Sequence, residues 1–509
     1  MISDELIFRI RECFHHVPTL EQERAMACFA QFMTARDEHA VMILRGSAGT
    51  GKTTLAAAIV RAMLQWNQKL VLLAPTGRAA KVFSLYSGHP AYTIHRRIYR
   101  QKTLDTGFAL GYNNAADTLF IVDESSMIAN GSRGGDSVFA GGQLLDDLVQ
   151  FVYNGRNCRM LLIGDRAQLP PVGEEESPAL LSSVMRSYGL NVYECDLSEV
   201  LRQSQESGIL WNATRVRSQV EDYESPKTGG TSDDGFQTGA GITLPQIRFQ
   251  GFDDIRVVMG DELVETLASS YSRVGMDETL VITRSNKRAN IYNQGIRNMV
   301  LGREEELCTG DLLMIVKNNY YWSGVANPPQ EEARSKGQEA RSKGQEERVE
   351  MEFIANGDMA VVRRVRHVHE MYGFRFAEVT MTFPDYDDYE LTAVTMLDTL
   401  TSEAPALTRE QQEQLFQKVM EDYAEIPNKQ ERLKKLKQDR YYNALQVKFA
   451  YAATCHKAQG GQWAHVYVDQ GYMTDDMLTA DYLHWLYTSF TRATEQLFLV
   501  NWPKSQQEQ

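Results

Sequence analysis

Residues 41–64 read VMILRGSAGTGKTTLAAAIVRAML. The stretch opens with four consecutive apolar residues, which is typical of a buried strand, and ends with Leu55, Ile59 and Met63 at helical spacing. Between the two lies the spacing G-x-x-x-x-G-K-[ST], at residues 46–53. A strand, a glycine loop and a helix in this order predict a P-loop, because the loop's N–H groups and the helix N-terminus then face the same phosphates.

This loop is the candidate nucleotide site, and it predicts ATP and Mg²⁺ as cofactors. We expect Lys52 to reach the β- and γ-phosphates and the Thr53 hydroxyl to hold Mg²⁺. The residues of the stretch that we predict to bind the nucleotide are Gly46, Ser47, Ala48, Gly49, Thr50, Gly51, Lys52, Thr53 and Thr54.

The length of 509 residues predicts two to four domains, and 43% hydrophobic with 24% charged residues is ordinary for a globular protein. Six scattered cysteines without a C-x-x-C pair argue against a disulfide framework or a zinc site and favour a reducing compartment. The N-terminus lacks a signal-peptide pattern, and no apolar run approaches the length of a membrane span. We therefore expect a cytoplasmic protein without a membrane partner.

The net charge of −14 does not by itself suggest a polyanionic partner, but the charges are unevenly distributed. Residues 71–104 contain no acid, yet they contain arginines and lysines. Such a block is either a solvated face or a phosphate-contacting surface, and its place directly after a strand of the predicted ATPase sheet favours the second.

Acidic and polar residues follow two further apolar strands. Leu119–Val122 is followed by Asp123 and Glu124, which predicts that Asp123 completes the Mg²⁺ shell and Glu124 orients the attacking water. Gln168 comes soon after another apolar strand, at the sheet edge where ligands bind in open α/β folds.

Other segments indicate the organisation of the chain. Residues 101–118 are polar and predict a hairpin or small insertion, with Phe108 and Tyr112 near its tip. A second α/β pattern begins at 279–283, and the alternation within 359–382 predicts a small β module. The sequence EARSKGQ occurs twice in tandem at residues 332–345, which we interpret as a duplicated surface loop, with a nucleic-acid contact as the alternative.

Nine motifs occur in an order that resembles the superfamily 1 helicases of the RecD and Dda-like branch: GSAGTGKTTL, APTGRAAKVF, TIHRRIY, VDESSM, GDRAQLPPVG, LSEVLRQ, TRSNKRAN, CHKAQG and YTSFTRA. The resemblance covers most of the chain. It implies an α/β fold with two RecA-like P-loop domains, a small hairpin insertion and an SH3-like β insertion. It places the first RecA-like domain at 1–205 with the hairpin at about 101–118, the second at 206–353 and 445–509, and the SH3-like module with a helical extension at 354–444.

The resemblance also implies roles for individual residues. Gln22 resembles the glutamine that reads adenine, although with Thr19 it also fits a helix-capping box. Gln168 resembles the γ-phosphate sensor, and Arg202 and Arg492 resemble the arginines that neutralise transition-state charge. The DNA-facing positions implied by the motifs are Thr76, Arg78, His95, Thr454, His456 and Gln459. Phe108 is the candidate aromatic wedge of the hairpin, with Tyr112 as a competitor and simple packing as the alternative.

These features predict an ATP-dependent DNA helicase that translocates on single-stranded DNA, 5′ to 3′ by resemblance alone. The expected partners are single strands and single/double-strand junctions, and a monomer is expected. An RNA helicase of the same superfamily and a nucleotide-gated nucleic-acid binding module without productive hydrolysis are the alternatives. Strand-stimulated ATPase activity would separate the module from the enzymes.

Deletion of residues 332–345 is expected to leave folding and ATPase activity nearly unchanged, because the repeat is charged, poor in apolar residues and outside the motifs. The yield of soluble protein and the ATPase rate with and without DNA check this expectation. Loss of the stimulation by DNA would show that the repeat contacts nucleic acid.

Overall fold

The computed structural model describes residues 2–37, 39–101, 108–131, 143–200, 206–224, 243–319, 321–322, 354–474 and 477–508. Within these ranges the strands are β1 (Ala40–Gly46), β2 (Lys69–Ala74), β3 (Ala91–Thr93), β4 (Tyr99–Gln101), β5 (Phe108–Leu110), β6 (Thr118–Val122), β7 (Arg159–Gly164), β8 (Asn191–Leu197), β9 (Ile255–Val258), β10 (Thr279–Thr283), β11 (Leu312–Ile315), β12 (Met359–Met371), β13 (Phe374–Phe383), β14 (Tyr389–Met396), β15 (Leu445–Phe449), β16 (Ala452–Thr454), β17 (Trp463–Asp469) and β18 (Ala493–Val500).

The α-helices of the same ranges are α1 (Ile2–Phe14), α2 (Leu20–Thr34), α3 (Lys52–Gln65), α4 (Gly77–Ser87), α5 (Ile94–Ile98), α6 (Leu144–Tyr153), α7 (Ser182–Ser187), α8 (Gly208–Glu224), α9 (Leu263–Arg273), α10 (Asn286–Gly295), α11 (Arg409–Asp422), α12 (Lys429–Lys437), α13 (Cys455–Ala458) and α14 (Ala480–Phe490). None of these described helices is long and apolar enough to span a bilayer.

The first lobe, residues 2–200, is built on a six-stranded parallel sheet of order β3-β2-β6-β7-β1-β8. The apolar run of β1 is buried on both faces: Met42 and Leu44 pack with α1, α2 and α3, whereas Val41 and Ile43 pack with α5 and α6. A parallel strand covered by helices on both sides needs this continuous apolar run. The sheet therefore carries all its polar functional residues at the strand ends.

The second lobe, residues 206–311 and 450–508, contains a five-stranded parallel sheet of order β16-β10-β17-β18-β9. The central strands β10 and β17 are buried along their whole length. Two parallel sheets in one chain confirm the predicted α/β class with its two sheet-based lobes.

A closed barrel of β11, β12, β13, β14 and β15 lies between the two parts of the second lobe in the chain. Its strands pair antiparallel except for β14 with β15, which run parallel and are separated in the chain by α11 and α12. The barrel takes β11 and β15 from outside the 354–444 range expected from the sequence. Both are short, wholly buried strands, and nothing local marks them as barrel rather than sheet strands.

The small insertion of the first lobe begins as an antiparallel ladder of β4 and β5, in which Tyr99 pairs with Leu110 and Gln101 with Phe108. A hairpin is therefore present, and it begins two residues before the predicted 101–118. The Phe108 side chain lies outside what the structure describes, as do Arg202, the tandem repeat at 332–345 and the polar segment 225–241.

A buried ionic cluster joins the barrel to the second lobe. Asp311, which directly precedes β11, is fully buried and pairs with Arg297 at 3.0 Å and with Arg303 at 2.8 Å. Its Oδ1 also accepts a hydrogen bond from the Tyr451 hydroxyl at 2.9 Å, and its Oδ2 accepts one from the Cys308 N–H at 2.7 Å. One carboxylate thus bridges two guanidinium groups where the two units meet.

The Asp311→Ala substitution is expected to lower the free energy of unfolding by about 3–5 kcal/mol, because it leaves the buried Arg297 charge without a partner. Urea denaturation followed by circular dichroism measures the change. Glu5→Ala is the control, since Glu5 pairs with Arg9 on the surface, where both side chains are about half exposed and a pair contributes at most about 1 kcal/mol. Equal effects of the two substitutions would contradict the proposed importance of the cluster.

Candidate nucleotide site and interlobe groove

The P-loop connects β1 to α3 in a tight turn. Gly49 and Gly51 have φ values of 78° and 79°, in the left-handed region that side chains rarely adopt. A Cβ atom at Gly46 would lie 2.9 Å from both Lys52 Cγ and Thr50 Oγ1. The sequence motif is therefore required by backbone conformation and by close packing as well as by chemistry.

Lys52 lies over the loop, and its predicted contact with the β- and γ-phosphates stays a prediction. Its Nζ donates a hydrogen bond to the Ser47 carbonyl at 3.0 Å and lies 3.8 Å from Asp165 Oδ2 at the end of β7. The Thr50 hydroxyl donates to the same carbonyl at 2.8 Å. The ammonium group is thus held at the centre of the loop that is predicted to receive phosphate.

Gln22 serves as a helix cap and also contacts the P-loop. Its Oε1 accepts a hydrogen bond from the Thr19 N–H at 3.0 Å, which completes a capping box at the start of α2. Its Nε2 donates to the Thr50 carbonyl at 2.9 Å, and the residue is 1% exposed. Gln22 therefore caps α2 and lies beside the P-loop at the same time. Its recognition of adenine stays a prediction.

Asp123 and Glu124 follow β6 at the predicted sheet edge. Glu124 has a φ of 51°, a strained value for a residue with a side chain, and its N–H donates to Asp123 Oδ1 at 2.9 Å. Burial and the neighbouring Glu124 carboxylate raise the pKa of Asp123 to about 7, and Lys52 opposes the shift. A partly buried carboxylate whose ionised form is disfavoured in this way is one that a divalent cation would stabilise.

The donor set fits Mg²⁺. This ion is usually held by one or two carboxylates together with substrate phosphates and water, rather than by a protein cage. Among the described residues no group of three or more His, Cys, Asp or Glu side chains could hold a metal alone. Asp123 and Thr53 would hold the ion with the phosphates, and the ion would neutralise phosphate charge during hydrolysis.

Gln168 is 5% exposed, and its Oε1 lies 3.5 Å from the hydroxyl of Ser126, two residues beyond Glu124. It therefore lies beside the acidic turn, at a position compatible with the predicted sensing of the γ-phosphate. Its role stays a prediction.

Residues 165–169 of the first lobe are hydrogen bonded to α14 of the second lobe and to Gln459, which directly follows α13. The Leu169 N–H donates to Thr488 Oγ1 at 2.8 Å, and its carbonyl accepts from Gln459 Nε2 at 2.6 Å. His484 Nδ1 lies 2.9 Å from the Ala167 carbonyl. Gln459, predicted to face DNA, thus joins the lobes in this structure.

Arg78, another predicted DNA-facing residue, also crosses between the lobes. Its guanidinium lies 4.4 Å from the centre of the Trp463 ring, donates to the Gln462 carbonyl at 2.6 Å and pairs with Glu278 at 3.2 Å. Thr76 caps α4 by accepting from the Ala79 N–H at 3.2 Å. The sequence could not distinguish these interlobe contacts from DNA contacts.

A groove of about 330 Å³ opens beside these contacts, between residues 169–174 of the first lobe and Thr283, Arg284, Thr454 and His456 of the second. Thr454 and His456 therefore line this groove, and their contact with DNA stays a prediction. His95 lies on α5 of the first lobe, and burial lowers the pKa of its imidazole, which favours the neutral ring.

Two family models match the chain. One, described as an AAA domain, matches residues 20–222, and the other, described as a UvrD-like helicase C-terminal domain, matches residues 449–500. The ATP-dependent DNA helicase Dda of Enterobacteria phage T4 is 26% identical over 278 residues, which are 53% of this chain and 55% of Dda. The ATP-dependent RecD2 DNA helicase of Deinococcus radiodurans is 35% identical over 136 residues, 26% of this chain and 16% of RecD2.

These matches support an assignment of the chain to the superfamily 1 helicases of the RecD and Dda type. The chain spans about half the length of Dda and a sixth of RecD2 in these matches. A solved structure of Pif1 helicase from Bacteroides in complex with ADP-AlF3 and ssDNA aligns at 13% identity over 96% of this chain and 94% of that chain, with a TM-score of 0.43, too low to add to the argument.

Several residues of the site were missed by sequence reasoning. Tyr487 lies within YTSFTRA and contacts the P-loop, and Arg217 of α8 contacts the Ser47 hydroxyl. Trp463 stacks on Arg78. The motif that contains Tyr487 was a usable signal, whereas neither Arg217 nor Trp463 lies in a motif.

Arg492 is 2% exposed, and its described hydrogen bonds are made within the second lobe. Its Nε donates to the Thr488 carbonyl and its Nη1 to the Gly461 carbonyl, both at 3.1 Å. The predicted contact with the γ-phosphate therefore requires this side chain to change partners, and the role stays a prediction.

Arg492→Ala is expected to lower the turnover of ATP by about 10³-fold or more with little change in KM, because an arginine finger acts on transition-state charge. Steady-state kinetics measure both quantities. Arg159→Ala is the control: Arg159 is also a buried arginine bonded to backbone carbonyls, those of Phe32 and Ala35, but it lies at the start of β7, at the opposite end of that strand from Asp165. A loss of thermal stability shared by both variants, without a selective loss of turnover at Arg492, would assign Arg492 a structural role.

Proposed function

We propose that this chain is an ATP-driven DNA helicase that translocates on single-stranded DNA in the 5′ to 3′ direction. Dda and RecD2 are both named as ATP-dependent DNA helicases, which supports the activity and the substrate. The proposal includes ATP with Mg²⁺ as cofactors, single strands and junctions as partners, and a cytoplasmic monomer as the working form.

The observation that carries the proposal is that one short segment, residues 165–174, contacts both the P-loop and the interlobe groove. At its start, Asp165 lies 3.8 Å from the P-loop Lys52, and at its end residues 169–174 line the interlobe groove. A change at the phosphates is therefore transmitted over a few residues to the groove where the strand would lie. Such a link is what a translocase needs, because each hydrolysis event must alter its grip on the strand.

The positions of the other residues predicted to act in catalysis are compatible with the proposal. Lys52, Asp123, Glu124 and Gln168 lie at one edge of the first sheet, and the arginine-bearing motif that contains Arg492 lies across the interlobe contact. Arg202 and Phe108 are kept in the proposal as a second arginine finger and as the strand-separating wedge, on the resemblance alone.

The test compares ATP hydrolysis with single-stranded DNA, with single-stranded RNA and without nucleic acid, alongside unwinding of duplexes with a 5′ or a 3′ tail. We expect stimulation by DNA and unwinding of the 5′-tailed duplex. Lys52→Ala is the control and should abolish both activities while retaining some strand binding, because it removes the charge that engages the phosphates.

Stimulation by RNA alone would replace the DNA helicase with an RNA helicase. Strand binding that responds to nucleotide without stimulated hydrolysis would indicate the binding module. Unchanged hydrolysis in Lys52→Ala would contradict the whole proposal, because the P-loop would then not be the catalytic site.

A further inference from the structure

The hydroxyl of Tyr487 joins the second lobe to the P-loop itself. It accepts a hydrogen bond from the Ala48 backbone N–H at 2.8 Å and donates one to Asp165 Oδ2 at 2.6 Å. Tyr487 belongs to α14 of the second lobe, whereas Ala48 and Asp165 belong to the first. The tyrosine is 1% exposed, so solvent water does not compete for either bond.

The Ala48 N–H belongs to the glycine-containing loop whose backbone amides cradle phosphate in a P-loop. A backbone amide has a single hydrogen to donate. The Tyr487 oxygen and a phosphate oxygen therefore compete for the same donor.

Asp165 strengthens this competition, because its Oδ2 lies beside both Lys52 and the Tyr487 hydroxyl, and a bound phosphate would affect both groups. It lies 3.8 Å from Lys52 Nζ and accepts the hydrogen bond from Tyr487. A phosphate in the loop attracts Lys52 towards itself and takes the Ala48 amide from Tyr487. Both ends of this small network are thus rearranged by a single ligand.

Tyr487 is fixed in place by its neighbours on α14. His484 Nδ1 lies 2.9 Å from the Ala167 carbonyl, and Thr488 Oγ1 accepts from the Leu169 N–H at 2.8 Å. Positions 484, 487 and 488 lie on one face of the helix. Because Tyr487 shares its helix with these two anchors, moving its oxygen away from Ala48 disturbs the contact between α14 and residues 165–169.

We propose that Tyr487 is a latch that phosphate displaces from the P-loop, so that nucleotide binding is coupled to the position of the second lobe. Tyr487 is a positioning residue in this proposal, since it acts through the Ala48 amide and not on the reacting atoms. The proposal rests on the proposed function only in assuming that the P-loop binds nucleotide.

Tyr487→Phe tests the latch, because it removes the hydroxyl and keeps the ring. We expect the variant to bind mant-ADP with Mg²⁺ about 3- to 10-fold more tightly than the wild type, since the phosphate no longer has to displace a hydrogen bond. Fluorescence titration in the absence of DNA measures the Kd. A merely structural role for the hydroxyl predicts a lower melting temperature without tighter binding.

Two matched controls separate the latch from general loosening. Thr488→Val removes the interlobe hydrogen bond to Leu169 but leaves the Ala48 amide untouched. Tyr467→Phe removes another buried tyrosine hydroxyl of the second lobe, which contacts Ser270 and the Thr266 carbonyl. Both controls should bind mant-ADP as the wild type does.

Unchanged or weaker binding by Tyr487→Phe overturns the latch, and so does equal tightening in Thr488→Val, which would show that loosening the lobes is sufficient. If the phenylalanine variant does not fold, Tyr487→Met carries the same expectation, because methionine also lacks the hydroxyl and adapts to the space. A wild type that binds no mant-ADP overturns the proposed function and the latch with it, whereas wild-type binding with an unaltered Kd in Tyr487→Phe overturns the latch alone.

Discussion

The hydrogen bonds of residues 165–169 of the first lobe with Gln459 and α14 of the second are the interaction on which the candidate site depends. They involve the backbone of Ala167 and Leu169 and the carboxylate of Asp165, and nearly all the participating groups are buried. Backbone groups cannot change rotamer, so the second lobe is held against a rigid strand end. Both the P-loop contact of Tyr487 and the groove beside Thr454 follow from this placement.

Buried charge is distributed in two different ways in this molecule. At the joint of barrel and second lobe, Asp311 is fully paired with Arg297 and Arg303, which is the arrangement that holds two units together. At the P-loop, by contrast, Asp123 lies beside another acid, and its pKa is raised to about 7. Incomplete compensation of a carboxylate is costly for stability but leaves the site ready for a cation and phosphates.

The barrel is held against the first lobe as well, through contacts with α4. Lys81 donates to the Pro384 carbonyl at 3.0 Å and pairs with Asp385 at 3.3 Å. Within the barrel, Tyr386 donates to Asp358 at 3.0 Å. A Cβ atom at Gly77 would lie 2.7 Å from Asp358 Oδ1, so the barrel touches the backbone at the start of α4. Helix α4 is thus packed against two other units: the barrel and, through Arg78, the second lobe.

The sequence by itself determined the features that depend on neighbouring residues. The tight turn of the P-loop needs glycine at 49 and 51, and an apolar strand that ends in Asp123 and Glu124 carries these acids to a sheet edge wherever it is placed. Only the tertiary structure decided which groups meet across the lobes. Tyr487 reaches Ala48 over 439 positions of chain, Arg78 is covered by Trp463, and β11 joins the barrel rather than a sheet. The physical reason is that such contacts depend on how buried surfaces pack, and a strand or a motif arginine has the same local pattern whichever surface it meets.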